Sequence, residues 1–240
     1  WHTPRFGSVL LGPEVGIDWE NDPFQNRSWV WLLQQLHFIK DLLIYDNENK
    51  TLDGLKFSDC AIKNWYKVFK NHSYDSHGVW HDHGSALRLR RIIEIKNKLI
   101  ENNLWDNQNQ SIYQELIELH VKYLISEKYY SKGTNHGLEQ TITLLIAVAT
   151  NMNEPWSKGC INTCKERLVY ETTKMFDKDG GHFENSPHYH GLGINQLMMI
   201  NTILKKYNSI LPASSIISNE FIENVTSILI FMISPLGELV

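Results

Sequence analysis

Apolar side chains recur at helical spacing along almost the whole chain, and this periodicity restricts its fold more than any other feature. In successive segments they return every third or fourth position, as on the buried face of an amphipathic helix. We find no run of the apolar–polar alternation and tight turns that predicts a sheet. The spacing predicts helices from Ser28 to Leu43, Ser58 to Phe69, Gly84 to Ile100, Ser111 to Ile125, Asn135 to Ala149, Asn162 or Thr163 to Phe176, Leu192 to Tyr207 and Ser218 to Ile233.

Helices joined by short and medium loops predict an all-α domain. The chain has 240 residues, enough for one large domain with its own core. Two polar stretches, Asp46–Lys50 and Asn102–Gln110, are too short to be domain linkers, so we predict a single domain over residues 1–240. No fixed-period repeat is visible, but helix pairs without sequence repeats suit an (α/α) toroid.

Composition excludes several classes of protein. A hydrophobic content of 42% excludes a disordered chain, and a net charge of −4 argues against a nucleic-acid partner. No stretch approaches the roughly 20 apolar residues of a membrane span. Three Cys are too few for a disulfide framework, and we predict no cofactor and no metal site. The chain opens on Trp1, so its cellular location cannot be predicted from a leader segment.

Polar residues cluster at the starts of three predicted helices. The first cluster, Asp179–His190, holds three His, one Tyr and one Glu in a segment marked by Gly and Pro. Each of these groups would need a partner if it were buried, so we expect an exposed loop ahead of the helix that begins at Leu192. A rigid helix start is a useful place for reactive groups.

The other two clusters are Gly133–Gln140 and Trp80–Arg91. Asn135 is placed to cap its helix, and His136, beside Gly137, is placed to point out of the helix start. His81, Asp82 and His83 are either metal ligands or helix-start residues held by hydrogen bonds, and Arg88, about one turn in, is placed to reach a carboxylate. In a toroid of helix hairpins, loops at one end line a shared groove, where the three clusters would converge.

The segment from Phe176 to His190 resembles a known family. Its order of Asp-Gly, a small residue, His-Phe-Glu, then Ser-Pro, any residue and Tyr-His is similar to that of the heparinase II/III and alginate lyase group of polysaccharide lyases. Asn135-His136 resembles an Asn-His pair that starts an earlier helix in the family. Ile17-Asp18-Trp19, with Trp29, resembles the family's opening less specifically.

The resemblance implies an incomplete (α/α) toroid that cleaves uronic-acid-containing polysaccharide, such as glycosaminoglycan or alginate, by β-elimination. It implies a periplasmic or secreted protein with an acidic polysaccharide as its partner and no cofactor. Full-length members continue into a C-terminal β-sandwich domain that supplies further site residues. Pro235–Glu238 is similar to the stretch that leads out of the toroid, and Met232–Val240 is expected to turn from a helix into a continuing strand.

This chemistry suggests roles for the polar clusters. Asn135, helped by His136, would neutralise the uronate carboxylate, and Tyr189 would act as base or acid. His190 or His188 would be its partner. The predicted catalytic residues are Tyr189, Asn135, His136 and His190, and the predicted substrate-binding residues are Glu184, His188, Arg88, His83 and Trp80.

Other expectations concern the neighbours of these residues and the alternatives to a lyase. His182 and Phe183 are predicted to pack, Glu184 to orient a His or Arg or to bond a sugar hydroxyl, and Arg88 to make the groove locally positive. A non-catalytic carbohydrate-binding or glycan-biosynthesis relative stays open as an alternative. So does an (α/α)-barrel hydrolase, which would pair Glu184 with Asp82 or Glu139.

Overall fold

The structure, a computed structural model, describes residues 1–12, 17–76, 78–207 and 218–232, and almost all regular structure within these ranges is helical. The prediction of an all-α protein is confirmed. A short antiparallel pair, β1 (His2–Thr3) with β2 (Gly7–Ser8), precedes the helices. The described helices are α1 (Arg27–Gln34), α2 (Ile39–Asn49), α3 (Asp53–Phe69), α4 (Asp82–Glu101), α5 (Asn107–Ile125), α6 (Asn135–Thr150), α7 (Pro155–Met175), α8 (Pro187–Lys206) and α9 (Asn219–Phe231).

The chain divides into two compact units, Trp1–Leu124 and Ile125–Val240. In the first unit, α1 and α3 both pack on α4, and α2 packs on α3. Large aromatic residues fill its core, among them the fully buried Trp29, Trp65 and Phe69. In the second unit α6 is buried on nearly every side and packs against α7, and α8 packs against both α6 and α9.

The helix predicted from Ser28 to Leu43 is two helices, so that prediction was wrong. Residues 35–38 interrupt it, and Leu36 has a φ of 60°, in the left-handed region that side chains with a Cβ rarely adopt. Leu36 and Phe38 are both buried, so the break places apolar side chains in the core. Asn26, not Ser28, caps α1, because its side chain accepts from the Ser28 amide at 2.9 Å.

Helix α3 begins at Asp53, five residues before the predicted start at Ser58. Asp46, near the end of α2, supplies the cap, because its carboxylate accepts from the Gly54 amide at 2.9 Å and the Leu55 amide at 2.7 Å. Ser58 lies inside the helix, where its hydroxyl donates to the Gly54 carbonyl. The cap thus comes from a neighbouring helix, which helical spacing alone does not indicate.

Three later helices also begin before their predicted starts. Helix α5 begins at Asn107 rather than Ser111, with the Asp106 carboxylate accepting from the Asn109 amide at 2.7 Å. Helix α7 begins at Pro155 and α8 at Pro187, because proline at the first helical position loses no internal hydrogen bond. The Tyr189-His190 pair therefore lies in the first turn of a helix rather than in a loop.

The last described helix agrees with its prediction. Ser218 caps α9 and accepts from the Phe221 amide at 3.1 Å. The expected end at Ile233, the continuing strand and Pro235–Glu238 lie outside the described residues. The single domain over residues 1–240 and the C-terminal β-sandwich stay predictions.

Candidate active site

The loop between α7 and α8 is held by backbone hydrogen bonds between its two ends. Phe176 and His182 form an antiparallel bridge, and the Phe183 amide donates to the Met175 carbonyl at 2.9 Å. Gly180 has a φ of 91°, and a Cβ on it would lie 2.9 Å from the Val225 backbone nitrogen. Only glycine combines that backbone angle with so close an approach. The loop therefore holds its side chains in fixed places at the start of α8.

Two of the three histidines in this cluster are buried, contrary to the exposed loop predicted. His182 is 4% exposed and packs edge-on against the Phe176 ring, with ring centroids 5.3 Å apart. Burial lowers the pKa of His182, the nearby Glu184 raises it, and His190 lowers it. His182 is therefore a packing residue, as predicted, and its ring stays neutral at neutral pH.

His190 has no exposed surface, which contradicts its predicted catalytic role. Its Nε2 lies 2.8 Å from the Val225 carbonyl, so this nitrogen is the donor and the ring ties α8 to α9. Its Nδ1 is buried and has no hydrogen-bond partner among the described residues. A ring enclosed in this way cannot meet a sugar, so we assign His190 a structural role.

Tyr189 and His188 are the accessible groups of the cluster. Tyr189 is half-buried in the first turn of α8, and no described residue forms a hydrogen bond to its hydroxyl. Its ring lies nearly parallel to the His182 ring, with centroids 6.2 Å apart and planes 16° apart. His188 is exposed and lies edge-on to Tyr189, with centroids 5.8 Å apart. A phenol and an exposed imidazole thus lie together at the surface.

Phe183 and Glu184 also face solvent. Phe183 is 71% exposed, so the prediction that it packs was wrong. Its backbone is held by the loop while its ring is free of the core. The Glu184 carboxylate is exposed and bonds no described His or Arg, so the orienting role is not observed. Its backbone amide donates to Nδ1 of His182 at 3.2 Å.

Asn135 and His136 begin α6. Thr134 is the N-cap, because its hydroxyl accepts from the Gly137 amide at 3.1 Å. The Asn135 side chain is therefore not the N-cap of α6, so the prediction that it caps the helix was wrong. Asn135 and His136 are both half-buried at the start of the helix.

The starts of α6 and α8 lie at the same end of α7. Ser157, near the start of α7, bonds the Val148 carbonyl near the end of α6, so these two helices are antiparallel. Glu171, near the end of α7, accepts from the Gly133 amide just ahead of α6. The same end of α7 meets α8, where the Phe176 ring packs edge-on against His190. Asn135, His136 and Tyr189 thus share one end of the second unit.

A hydrogen bond links α6 and α8 directly. The Gln196 side-chain amide donates to the Glu139 carboxylate at 2.7 Å. Gln196 lies two turns beyond Tyr189, and Glu139 lies about one turn beyond Asn135. The bond joins the two helices just behind their polar starts, so both starts belong to one packed body.

In the first unit, Arg88 is fully buried, which contradicts its predicted contact with substrate. Its guanidinium donates to the Gln34 carbonyl at 2.7 Å, the Val79 carbonyl at 3.0 Å and Nε2 of His120 at 2.8 Å. It also stacks over the Trp65 ring, 4.0 Å from the centroid. Every face of the group is occupied by the protein itself.

Trp80 is 2% exposed and packs on Arg88 and Tyr123, so it is a core residue and not a substrate contact. His83 is half-buried in the first turn of α4, with its ring 5.6 Å from that of Trp31. His81 is the N-cap of α4 and accepts from the Gly84 amide at 3.4 Å. The His81–His83 stretch therefore starts a helix, which agrees with the second of its two interpretations.

The arrangement of the helices is similar to that in solved structures of two larger proteins. The structure of heparan sulfate lyase HepC from Pedobacter heparinus has a TM-score of 0.79 to this chain, with 18% identity over 100% of this chain and 37% of that chain. A structure of the heparinase III BT4657 gene product has a TM-score of 0.65, with 16% identity over 90% of this chain and 36% of that one.

The model of the family described as "Heparinase II/III N-terminus" matches residues 5–235 of this chain. The chain therefore belongs to that family. The predicted resemblance and the predicted fold, an all-α, incomplete (α/α) toroid of helix hairpins, are confirmed. No curated protein matches the chain in sequence. The chain spans a little over a third of the length of the similar solved structures. None of its described helices is both long and apolar enough to cross a lipid bilayer.

Proposed function

We propose that the protein is a polysaccharide lyase that cleaves a uronic-acid-containing glycan by β-elimination. The proposal rests on one observation above all. The Asn135-His136 pair and Tyr189, each in the first turn of its helix, lie at the same end of α7. Family membership supports a lyase, and the likeness to a heparan sulfate lyase makes heparan sulfate the first substrate to assay.

The reaction requires three events at one sugar ring. A base removes the proton on C5, the electron pair left behind forms the C4–C5 double bond, and the C4–oxygen bond breaks as an acid protonates the leaving oxygen. The C5 proton is barely acidic while the adjacent carboxylate carries its charge. Asn135 has an uncharged amide donor, left unused by helix capping, that stabilises the enolate-like intermediate through this carboxylate. His136, the next residue, assists.

Tyr189 and His188 are the proposed proton carriers. The Tyr189 hydroxyl forms no hydrogen bond with a described residue, which leaves it placed to give its proton to the leaving oxygen. His188 is exposed and lies beside Tyr189, which suits a base. General acid–base catalysis of this kind contributes roughly 10²- to 10⁴-fold to the rate. His190 is not part of this proposal, because it is enclosed.

The exposed side of the loop suits a sugar chain. We propose that the Phe183 ring stacks on a pyranose face and that the Glu184 carboxylate accepts from a sugar hydroxyl. His136 lies beside Asn135 at the half-buried start of α6. When its ring is protonated, it gives the site a positive charge. Further residues from a C-terminal β-sandwich domain, and a periplasmic or secreted location, are parts of the same proposal.

The test uses the full-length protein that contains this chain. It is incubated with heparan sulfate, alginate and hyaluronan, and ultraviolet absorbance is followed, because elimination leaves an unsaturated uronate. Reducing ends without that absorbance would indicate a hydrolase. Binding without any new ends would indicate a non-catalytic relative.

Tyr189→Phe removes only the phenolic hydroxyl. We expect turnover to fall by at least 10²-fold while substrate binding is retained, because the ring and its packing against His182 remain. Phe at the exposed Tyr45 of α2 is the matched control and should leave turnover unchanged. Wild-type turnover in Tyr189→Phe would remove Tyr189 from the mechanism.

A further inference from the structure

The segment that leads into α6 is held in place by side chains from two helices. It has little regular structure of its own beyond a turn of 3-10 helix at Glu127–Tyr129. Gln140 of α6 reaches back to it, accepting from the Ser131 amide and donating to the Tyr129 carbonyl, both at 2.9 Å. Arg167 of α7 lies over the Tyr130 ring, 3.8 Å from its centroid. These contacts hold the segment against α6 and α7.

Glu171 of α7 is the most unusual of these partners, because it is a fully buried carboxylate. One oxygen, Oε1, accepts from the Tyr130 hydroxyl and from the Gly133 amide at 3.0 Å. The other oxygen is buried and has no hydrogen-bond partner among the described residues. Burying a carboxylate in this way is costly, because Oε2 loses water without gaining a hydrogen bond from a described residue. Both of its hydrogen bonds go to the segment that precedes Asn135.

The packing around Glu171 leaves no room for adjustment. A Cβ on Gly137 would lie 2.9 Å from Oε1 of Glu171 and 2.3 Å from the Ser131 carbonyl oxygen, so only glycine fits there. Thr134 continues the chain of contacts, because its hydroxyl donates to the Ser131 carbonyl and caps α6 through Gly137. A displacement of the Gly133 backbone would therefore also displace Thr134 and the first turn of α6.

We propose that Glu171 and Tyr130 are positioning residues that set the place of the Asn135 amide for the reaction. This inference rests on the proposed function. Neither residue touches the sugar, and the pair acts through Gly133 and Thr134. Displacing a group that stabilises a transition state by about 1 Å can cost up to about 100-fold in rate. The pair therefore affects kcat more than KM, because Asn135 contributes most when negative charge develops.

The test is Tyr130→Phe in the full-length protein. We expect kcat to fall by about tenfold or more and KM to change by less than about threefold. Hydrogen exchange at the Gly133 amide should accelerate at least tenfold, because its acceptor loses a fixed orientation. Glu171→Gln keeps an oxygen acceptor for both donors and should retain most activity, whereas Glu171→Ala should not.

Tyr113→Phe is the matched control. Tyr113 is buried in α5 and its hydroxyl donates to the Asp59 carboxylate at 3.0 Å, so the same atom and the same kind of bond are removed. Both variants should be destabilised to a similar extent, but only Tyr130→Phe should lower kcat. Equal losses of kcat in both variants would show a merely structural role and overturn the proposal.

Unchanged kcat and Gly133 exchange in Tyr130→Phe would also overturn it. If the proposed lyase function is wrong, the experiment gives a different result. In that case wild-type protein forms no unsaturated product, while the Gly133 exchange still reports whether Glu171 and Tyr130 hold the segment.

Discussion

At the residue scale, burial separates the polar groups that support the fold from those that face solvent. Arg88 and His190 both look reactive by residue type, but neither has exposed surface. Tyr189, His188 and Glu184 are accessible within the same short segment as His190. Residue type therefore identifies the cluster, and burial decides which members can react.

Arg88 offers a direct test of this separation. Burial lowers its pKa to about 9, which leaves the guanidinium charged at neutral pH. Arg88→Met would leave the Gln34 and Val79 carbonyls without their donor. We expect the free energy of unfolding to fall by about 3 kcal/mol, since each buried unsatisfied group costs roughly 1–3 kcal/mol. Denaturant unfolding measures this loss.

Arg27→Met is the control, because Arg27 is exposed in the first turn of α1 and its loss should change stability by no more than about 0.5 kcal/mol. The KM of folded Arg88→Met should match that of the wild type. If Arg88→Met has wild-type stability and a raised KM, Arg88 binds substrate and its structural assignment is wrong.

At the element scale, helix boundaries depend on partners that are distant in sequence. Asp46 of α2 caps α3, and the buried Leu36 separates α1 from α2. By contrast, Thr134 and Ser218 cap their helices locally through the amide three residues ahead. A local cap depends on residues close in the sequence, whereas a cap from another helix requires the packed structure.

The end of α2 provides a stability prediction. Lys50 follows the helix in the left-handed conformation, with a φ of 57°, where glycine carries no steric cost. Lys50→Gly should therefore raise the free energy of unfolding by about 0.5–1 kcal/mol, provided that no contact of the exposed side chain is lost. Thermal or denaturant unfolding measures the change.

Lys56→Gly is the comparison variant for Lys50→Gly. Lys56 is also exposed, but it lies inside helix α3. There glycine should lower stability by about 1 kcal/mol. If Lys50→Gly is as harmful as Lys56→Gly, the left-handed cap at the end of α2 is wrong.

At the scale of the whole molecule, histidines that are half or fully buried link stability to pH. Burial is the main cause that lowers the pKa of His37, His120 and His182, and for His120 the neighbouring Arg88 charge lowers it further. In the unfolded chain a histidine takes up a proton near pH 6.5, but these folded-state rings resist it. The unfolded state therefore binds more protons as the pH falls below about 6.5, and stability decreases.

His120 gives this prediction its test. It is fully buried beside Arg88, and its pKa is well below the usual value. Each such histidine adds up to about 1.4 kcal/mol per pH unit to the slope of unfolding free energy between pH 6.5 and 5. His120→Gln should lower stability at pH 8 through lost packing, and it should also flatten this slope. An unchanged slope would contradict the assignment.

The sequence predicted the helical class, the family and the polar clusters, because these depend on local spacing and residue type. It placed Asn135 and His136 at a helix start, as the structure does, but it placed Tyr189 in a loop ahead of α8 rather than in the first turn of that helix. It misjudged His190, Arg88 and Trp80, because burial is a property of many packed neighbours at once. Phe183 was misjudged in the opposite direction for the same reason.

Glu171 and Tyr130 carried no signal in the sequence, since neither belongs to a motif or to helical spacing that marks a site. Their hydrogen bond joins positions 41 residues apart. By itself, the sequence determined the periodicity that builds helices and the chemistry available at their starts. Only tertiary packing decided which of those groups reach solvent, because the free energy of burial depends on contacts between residues that the chain order keeps apart.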